Sequence, residues 1–294
     1  MDAVITFVDG LDPLWQADYA AWHGGEAPLA KRFRDWGTLP YLLRGIEKFM
    51  PFVEKVHLVV ARKSQVPGWV SSQVRVVLHE DIIPGEYLPM FNSCSIEMFL
   101  HRIPGLAEQF LYFNDDMFPV APCEAEDFFP GGKAAMGFAR CLFAGSLYRR
   151  QTRNADRLAR KALGLPSGMT FRRPQHCPSP MLRSASESVF QAVEKEILAQ
   201  VSRTRTPDNV NQYLFLDYLL YGGRAINRRL SNKHLSLAVS SAGKIEAFLA
   251  APTHKLCCIN DVEMSDAQYR ALRPRILEAF ERLLPTPSRF EKAL

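Results

Sequence analysis

Short apolar runs alternate with longer stretches of helical spacing over the first 120 residues, and this alternation constrains the fold more than any other feature of the chain. Four runs rich in β-branched residues are candidate strands: residues 3–9, 55–61, 74–80 and 110–116. Residues 39–49 and 96–103 have helical spacing. Such alternation is typical of βαβ units, whose parallel strands are buried on both faces. It predicts an α/β fold with a largely parallel sheet flanked by helices.

The later part of the chain predicts a helical C-terminal subregion. We expect helices over residues 185–202, 207–221 and 266–284 and short strands over 135–139 and 255–260. Ser184 with Glu187, and Ser265 with Gln268, have the spacing of a capping box at a helix start. We predict one compact unit over residues 1–294, made of an α/β half (1–133), a basic insert (134–173) and a mainly helical half (174–294).

Acidic residues follow the predicted strands at the edge where ligands bind in such sheets. Asp115 and Asp116 end the fourth run, and Asp261 follows a later one. Neighbouring carboxylates repel each other, so a divalent cation with oxygen ligands, Mg²⁺ or Mn²⁺, would stabilise them. The alternative is a surface turn capped by Asn and Asp side chains. Asp9 and Asp12 follow the first strand, where a nucleotide or phosphate binds in doubly wound folds, although no glycine-rich phosphate motif is present.

Composition narrows the class of protein. Hydrophobic residues make up 47% and charged residues 23% of the 294 residues, which is typical of a soluble globular chain. No apolar stretch reaches the length of a membrane helix and no signal peptide is evident, so we expect a cytoplasmic protein. The six cysteines have no CxxC pairing, and no nucleic-acid-binding module is present.

A basic stretch lies within residues 141–173. Arg149, Arg153, Arg157 and Arg160 recur there at helical spacing. A helix with this pattern would present a cationic face to phosphates, to a growing anionic polymer or to the inner membrane surface. An ordinary solvated helix is the alternative.

Two histidines are further candidates. His101, with Arg102, ends a predicted helix, where either residue would also favour the helix dipole without any function. His176 lies in a proline-rich loop and could bind phosphate or accept a proton.

Read together, four stretches of the chain resemble the Stealth family of sugar-phosphate transferases. They are AVITFVDGLDPLW; RFRDWGTLPYLLRGIEKFMPFVEKVHLVVA with RVVLHEDIIP and LPMFNSCSIEMFLHRIPGLAEQFLYFNDDMFP; RPQHCPSPMLRSASESVF with SRTRTPDNVNQYLFLDYLLYGG; and KLCCINDVEM with LLPTPSRFEK. The resemblance covers most of the chain outside about residues 134–172.

The resemblance implies a Rossmann-like, GT-A-like fold. It also implies transfer of a sugar-1-phosphate from a nucleotide-activated sugar, such as UDP-GlcNAc, to a hydroxyl of a glycan or growing phosphodiester polysaccharide. The reaction forms a phosphodiester, releases nucleoside monophosphate and uses Mg²⁺ or Mn²⁺, in bacterial capsular or exopolysaccharide synthesis.

The residues that match the family's motifs are its implied site. Those matching the catalytic set are Asp115, Asp116, His176 and Asp261, of which the three aspartates would bind the metal. Those suited to donor, phosphate or sugar contacts are Asp9, Gly10, Asp12, Arg34, Arg44, Asn92, Ser93, His101, Arg102, Arg205 and Asn260. Either His176 or a carboxylate of Asp115 or Asp116 would be the general base.

Two other functions stay open at this point. One is a metal-dependent glycosyltransferase, which would release nucleoside diphosphate. The other is a non-catalytic glycan-binding protein, against which the joint presence of the acidic residues, His176 and Arg205 argues.

Overall fold

The structure is a computed structural model that describes residues 1–25, 33–237, 239–260 and 264–292. Its strands are β1 (Asp2–Thr6), β2 (Lys55–Val60), β3 (Val74–Leu78), β4 (Gln109–Asn114), β5 (Met117–Pro119), β6 (Ala134–Met136), β7 (Phe138–Cys141), β8 (Phe171–Pro174), β9 (Ser179–Leu182), β10 (Ala225–Asn227), β11 (Asn232–Ser236) and β12 (Leu256–Asn260).

The helices are α1 (Pro13–Trp22), α2 (Leu39–Phe49), α3 (His79–Ile82), α4 (Ser93–Glu97), α5 (Ala125–Phe128), α6 (Leu147–Ala162), α7 (Arg183–Ala192), α8 (Glu194–Gln200), α9 (Tyr213–Tyr221), α10 (Ala242–Ala250) and α11 (Asp266–Leu283). None of the helices in the described ranges combines the length and the hydropathy that a membrane-crossing segment needs.

The central sheet has the strand order β3-β2-β1-β4-β9. Strands β1 to β4 are parallel, and β9 is antiparallel at the β4 edge. The strand order reverses direction between β1 and β4, which opens a crevice beyond their carboxyl ends. Thr6 and Asn114 are register partners at that end. The predicted α/β fold with a largely parallel sheet is confirmed.

Burial explains why these runs are strands. Ala3, Val4 and Ile5 of β1 are completely buried, because helices and loops cover both faces of the sheet. Helix α2 buries the side chains of Leu42, Leu43 and others along one face. One contiguous cluster of buried apolar side chains takes in residues from β1 through to Phe290.

A smaller sheet of order β11-β12-β5 lies beside the crevice. Strand β12 is parallel to β11 and antiparallel to β5, with Cys258 opposite Met117. The N–H of Ile259 donates to the carbonyl of Asp116 at 2.9 Å. A strand near the C-terminus is therefore paired with the segment that directly follows β4.

Several predicted boundaries are wrong. The helix expected over residues 185–202 begins at Arg183 directly after β9 and is interrupted at Val193, so Ser184 and Glu187 form no capping box. The helix expected from residue 207 begins at Tyr213, because the Asn209 side chain binds the N–H of Thr206 and holds the preceding segment in a loop. The capping box of Ser265 and Gln268 is confirmed.

Candidate active site

A cavity of about 1460 Å³ opens at the carboxyl edge of the central sheet. Thr6 and Asn114 lie at its floor, where β1 and β4 end. Asn260 enters from the end of β12, and His176 from the loop between β8 and β9. The cavity is thus built from four distant parts of the sequence, and its position is the one expected for a ligand site in a parallel sheet.

Asp116 has three close polar contacts in this cavity. Its Oδ2 lies 3.2 Å from Asn260 Nδ2, 3.3 Å from Cys258 Sγ and 3.6 Å from His176 Nε2. Burial alone would raise the pKa of Asp116. The contacts with His176, Asn260 and Cys258 outweigh it and hold this pKa below its ordinary value. Asp116 is therefore an ionised carboxylate.

His176 is held in place through its neighbours. Asn232 Nδ2 donates to the His176 carbonyl at 3.1 Å, and the Gln175 side chain binds both backbone groups of Leu230. A Cβ on Gly137 would lie 3.0 Å from Gln175 Oε1, so glycine allows the loop to pass this closely. Burial lowers the pKa of His176, but the Asp116 carboxylate raises it by more.

Three side chains at Asp116 bring together atoms of the kinds that ligate divalent cations. Asp116, His176 and Cys258 offer an oxygen, a nitrogen and a sulfur that all lie within 4.8 Å of one another. Asp116 Oδ1 is buried and has no hydrogen-bond partner among the described residues. An ionised, buried oxygen without a partner is costly unless a cation or water binds it. Asp115 lines the same cavity, and Asp261 lies outside the described residues.

Arg205 is brought to the cavity by a pinned loop. Its Nη2 donates to Ser93 Oγ at 2.5 Å, and both residues line the cavity. Buried Asn92 caps α4 and its Nδ2 lies within 3.2 Å of four oxygens, which belong to Ser95, Ser202, Thr204 and Asn209. Asn92 therefore acts on the loop that carries Arg205 and does not itself line the cavity.

A helix cap and a close backbone contact fix the segment after β1. Asp12 is buried, caps α1 through Leu14 N–H and accepts from Ser64 Oγ at 2.6 Å. A Cβ on Gly10 would lie 2.1 Å from the Phe33 carbonyl, so only glycine fits there. Asp9 accepts from Leu11 N–H and borders a smaller pocket of about 160 Å³.

Seven of the predicted residues do not line this cavity: Asp9, Gly10, Asp12, Arg44, Asn92, His101 and Arg102. Arg44 is bound at 2.9 Å by both Glu281 and Glu291. His101 is buried 3.1 Å from Glu187, and burial lowers its pKa to about 4. Arg102 lies beside it, over the Phe190 ring.

Arg34 lines the cavity while its Nη2 bonds Asp266 at 2.7 Å and its guanidinium lies over the Tyr269 ring. This pairing ties the cavity wall to the first turn of α11.

The cavity also contains residues that the sequence did not single out as site residues. They are Arg173, Arg229, Lys233, His234 and His254, together with Cys258 beside Asp116. Arg173, on β8, belongs to the basic stretch within residues 141–173, but no motif around it indicated a role in the site. Arg229, Lys233, His234 and His254 lie in short strands and loops whose spacing carries no motif, whereas Cys258 lies within the stretch KLCCINDVEM.

Comparison with known proteins gives the following matches. Residues 32–136 match the model of Stealth protein CR2, conserved region 2. The chain is 32% identical to the receptor polysaccharide phosphotransferase WefC of Streptococcus oralis and 30% identical to the capsular polysaccharide phosphotransferase WcwK of Streptococcus pneumoniae. Each alignment covers 99% of both chains. Among solved structures, the galactosyltransferase LgtC aligns over 98% of both chains with 13% identity and a TM-score of 0.38.

Proposed function

The chain belongs to the Stealth family, and on that premise we propose that it transfers a sugar-1-phosphate from a nucleotide-activated sugar to a glycan hydroxyl. The product is a phosphodiester and the released molecule is a nucleoside monophosphate. The observation that carries the proposal is the juxtaposition of ionised Asp116 and His176 in a large cavity that also contains arginines. Both relatives described above are polysaccharide phosphotransferases, which supports the same reaction.

We propose that Mg²⁺ or Mn²⁺ binds at Asp116, with Asp115 and Asp261 as further ligands. The Oδ1 of Asp116, which has no hydrogen-bond partner among the described residues, supports this, since carboxylate oxygens are the ligands that these ions prefer. When bound, the ion would stabilise negative charge on the phosphate oxygens of the donor.

The protein's own residues would then carry the proton and the charge. The acceptor oxygen forms a bond to the phosphorus that bears the sugar, and the bond from that phosphorus to the nucleoside monophosphate oxygen breaks. The hydroxyl proton passes to His176. Asp116 lies beside Nε2 and favours the tautomer protonated there, which leaves Nδ1 as the acceptor. A carboxylate of Asp115 or Asp116 is the other candidate base.

Cationic side chains would bind the phosphates. Arg205, Arg173 and Arg229 line the same cavity as Asp116. Arg173 Nε is buried without a hydrogen-bond partner among the described residues, so an anionic ligand oxygen would satisfy it. Preorganised cations of this kind stabilise the charge that develops on a leaving phosphate. The resemblance implies a set of residues for contacts with the donor and its phosphates. Within that set, Arg205 and Ser93 have the most direct support, because they line this cavity and form a hydrogen bond with each other.

We propose that the chain acts as one catalytic unit, which the contiguous core supports. Its partners would be a nucleotide-sugar donor and a glycan or growing phosphodiester polysaccharide. We further propose that it works in the cytoplasm, peripherally at the inner face of the membrane, in capsular or exopolysaccharide synthesis.

The test is incubation of the purified chain with UDP-GlcNAc and other nucleotide sugars, with and without Mg²⁺, separating UMP from UDP by chromatography. Release of UMP should require both Mg²⁺ and Asp116, and should fall at least about 100-fold in Asp116→Asn. Asp81→Asn is the control, because Asp81 only caps α3 at Leu78 N–H, which asparagine can also do. Release of UDP would instead identify a glycosyltransferase. Binding of glycan without turnover of any donor would favour a binding protein.

A further inference from the structure

The exposed face of α6 and the loops at its two ends form a surface that combines exposed arginines with large exposed apolar side chains. We propose that this surface docks the protein on an anionic lipid bilayer. The inference rests on the proposed peripheral membrane contact and is independent of the proposed reaction.

Helix α6 divides cleanly into two faces. The side chains of Thr152, Ala155 and Ala159 are completely buried against the protein. On the opposite face lie four exposed arginines, which we call the arginine face: Arg149, Arg150, Arg153 and Arg157. Within the described part of the chain, these four side chains make no ion pair and no hydrogen bond. By contrast, Arg160 and Lys161 on the same helix are paired, with Asp156 and Glu196 respectively.

Large apolar side chains are exposed beside the arginine face. We call four of them the apolar tip: Leu142, Phe143, Leu165 and Met169. Phe143 is 74% exposed and Met169 is 84% exposed. Side chains of this size normally avoid water, and an exposed cluster of them marks a contact surface.

Local contacts bring the apolar tip together at one end of the helix. Cys141 and Phe171 are register partners at the end of the β7–β8 ribbon, and Arg140 Nε donates to Thr170 Oγ1 at 3.0 Å. Leu142 and Met169 therefore leave the same end of the ribbon. Leu165 N–H binds the carbonyl of Arg160, and a Cβ on Gly168 would lie 3.5 Å from Arg160 Cζ. Leu142, Leu165 and Met169 thus lie toward the end of α6 that carries Arg160, and Phe143 directly follows Leu142 in the chain.

The combination favours a lipid surface over other anionic partners. Unpaired arginines attract anionic headgroups, and neighbouring apolar side chains enter the boundary between headgroups and acyl chains. A soluble polyanion would satisfy the arginines but would leave Phe143 and Met169 in water. Tyr148, in the first turn of α6, lines the cavity, so the docked helix would also place the cavity close to the membrane.

The test is sedimentation of the full chain with vesicles of phosphatidylcholine alone or mixed in equal parts with phosphatidylglycerol. The first variant carries Arg149→Glu, Arg150→Glu, Arg153→Glu and Arg157→Glu. The second carries Phe143→Ser and Met169→Ser. The matched control reverses four exposed cations elsewhere that make no side-chain ion pair in the described part: Lys63→Glu, Arg75→Glu, Lys244→Glu and Arg270→Glu. Melting temperatures check that each variant is folded.

The wild-type chain and the control should bind only the anionic vesicles. The arginine variant should bind them about 100-fold or more weakly, and the apolar variant should also bind more weakly. If the control lost as much vesicle binding as the arginine variant, the loss would be due to net charge alone, and the proposal would be overturned. So would wild-type binding to neutral vesicles, or binding to soluble polyphosphate without any binding to vesicles. Because vesicle binding needs no donor, these outcomes are separate from a failure to release UMP.

Discussion

Asp116 has one carboxylate oxygen with three close contacts and one with no partner among the described residues, and Cys258 is among the three. The Cys258 thiol is buried, and burial next to Asp116 raises its pKa well above the ordinary value. The thiol is therefore protonated and donates to Asp116 Oδ2. It supports the carboxylate and is poorly suited to bind a cation as a thiolate.

Cys258→Ser should accordingly retain Mg²⁺-dependent UMP release within about threefold, since a serine hydroxyl can donate to Asp116 in the same way. Steady-state rates with Mg²⁺ and with Mn²⁺ check this. The opposite result would be a loss of Mg²⁺-dependent activity in Cys258→Ser, together with activity in Zn²⁺ or another thiophilic ion for the wild-type chain but not for the variant. That result would make Cys258 a metal ligand.

Glu97 is a second residue with a measurable signature. It is buried behind the cavity, where its carboxylate accepts from Gln212 N–H at 2.8 Å and from the Tyr112 hydroxyl at 3.3 Å. Burial raises the pKa of Glu97 to about 7, even though these hydrogen bonds oppose the shift. Glu97 is thus an acid that the folded protein prefers to keep protonated.

Because the unfolded chain releases this proton at lower pH, the free energy of unfolding should fall as pH rises from about 4.5 to about 7. Glu97→Gln should remove about 3 kcal/mol of this pH dependence. Urea unfolding of both proteins across this range measures the difference. Exposed Glu86→Gln is the control and should follow the wild-type chain. If the free energy of unfolding had the same pH dependence in Glu97→Gln as in the wild-type chain, Glu97 would be charged in the folded protein.

At the scale of elements, the loop from Ser202 to Asn209 depends on the side chain that caps α4, Asn92. Asn92 Oδ1 caps the helix at Cys94 N–H, while Nδ2 faces four oxygens, three of them on the loop. The two atoms therefore serve two different elements.

Asn92→Asp should keep the cap and place an acceptor against those oxygens. We expect faster hydrogen exchange over residues 202–209, a loss of about 2 kcal/mol of stability and weaker donor binding through Arg205, with α4 intact. Hydrogen exchange resolved by segment measures this. Unchanged exchange in the loop together with melting of α4 would contradict the assignment.

The elements also show what could be predicted from the sequence. The helix over Leu39–Phe49 was predicted to the residue, because its apolar periodicity and its burial coincide. The four parallel strands were predicted with boundaries that extended too far, since Phe7 and Val8 after β1, and His79 after β3, lie beyond the strand ends and line the cavity.

The pairing of β12 with β5 had no local signal, because the two strands are separated by nearly half of the chain. This long-range contact sets Cys258 against Asp116, and the stretch KLCCINDVEM that contains Cys258 does not by itself indicate that contact. His176 could be proposed from its proline-rich loop, but its approach to Asp116 depends on β8 and β9.

At the scale of the whole molecule, Arg44 ties α2 to the C-terminal segment. Both Arg44 and Glu291 are about nine-tenths buried, and Glu281 and the Leu284 carbonyl complete the contacts. The bond to Glu291 is the main cause that raises the pKa of Arg44, so the pair is ionised.

Arg44→Ala should lower the free energy of unfolding by about 3 kcal/mol, because it leaves Glu291 buried without its partner. The Michaelis constant for the donor should not change at a temperature where the variant is folded. Thermal unfolding and donor titration check the two expectations. A raised Michaelis constant without loss of stability would place Arg44 in the donor site.

The antiparallel pairing of β12 with β5 has a consequence for biosynthesis. Asp116 is made when less than half of the chain has been translated, but Asn260 and Cys258 reach it only near the end of synthesis. A ribosome-bound chain that stops before β12 has the floor of the cavity without this wall. The candidate site should therefore be completed abruptly and late in synthesis, once β12 has paired with β5.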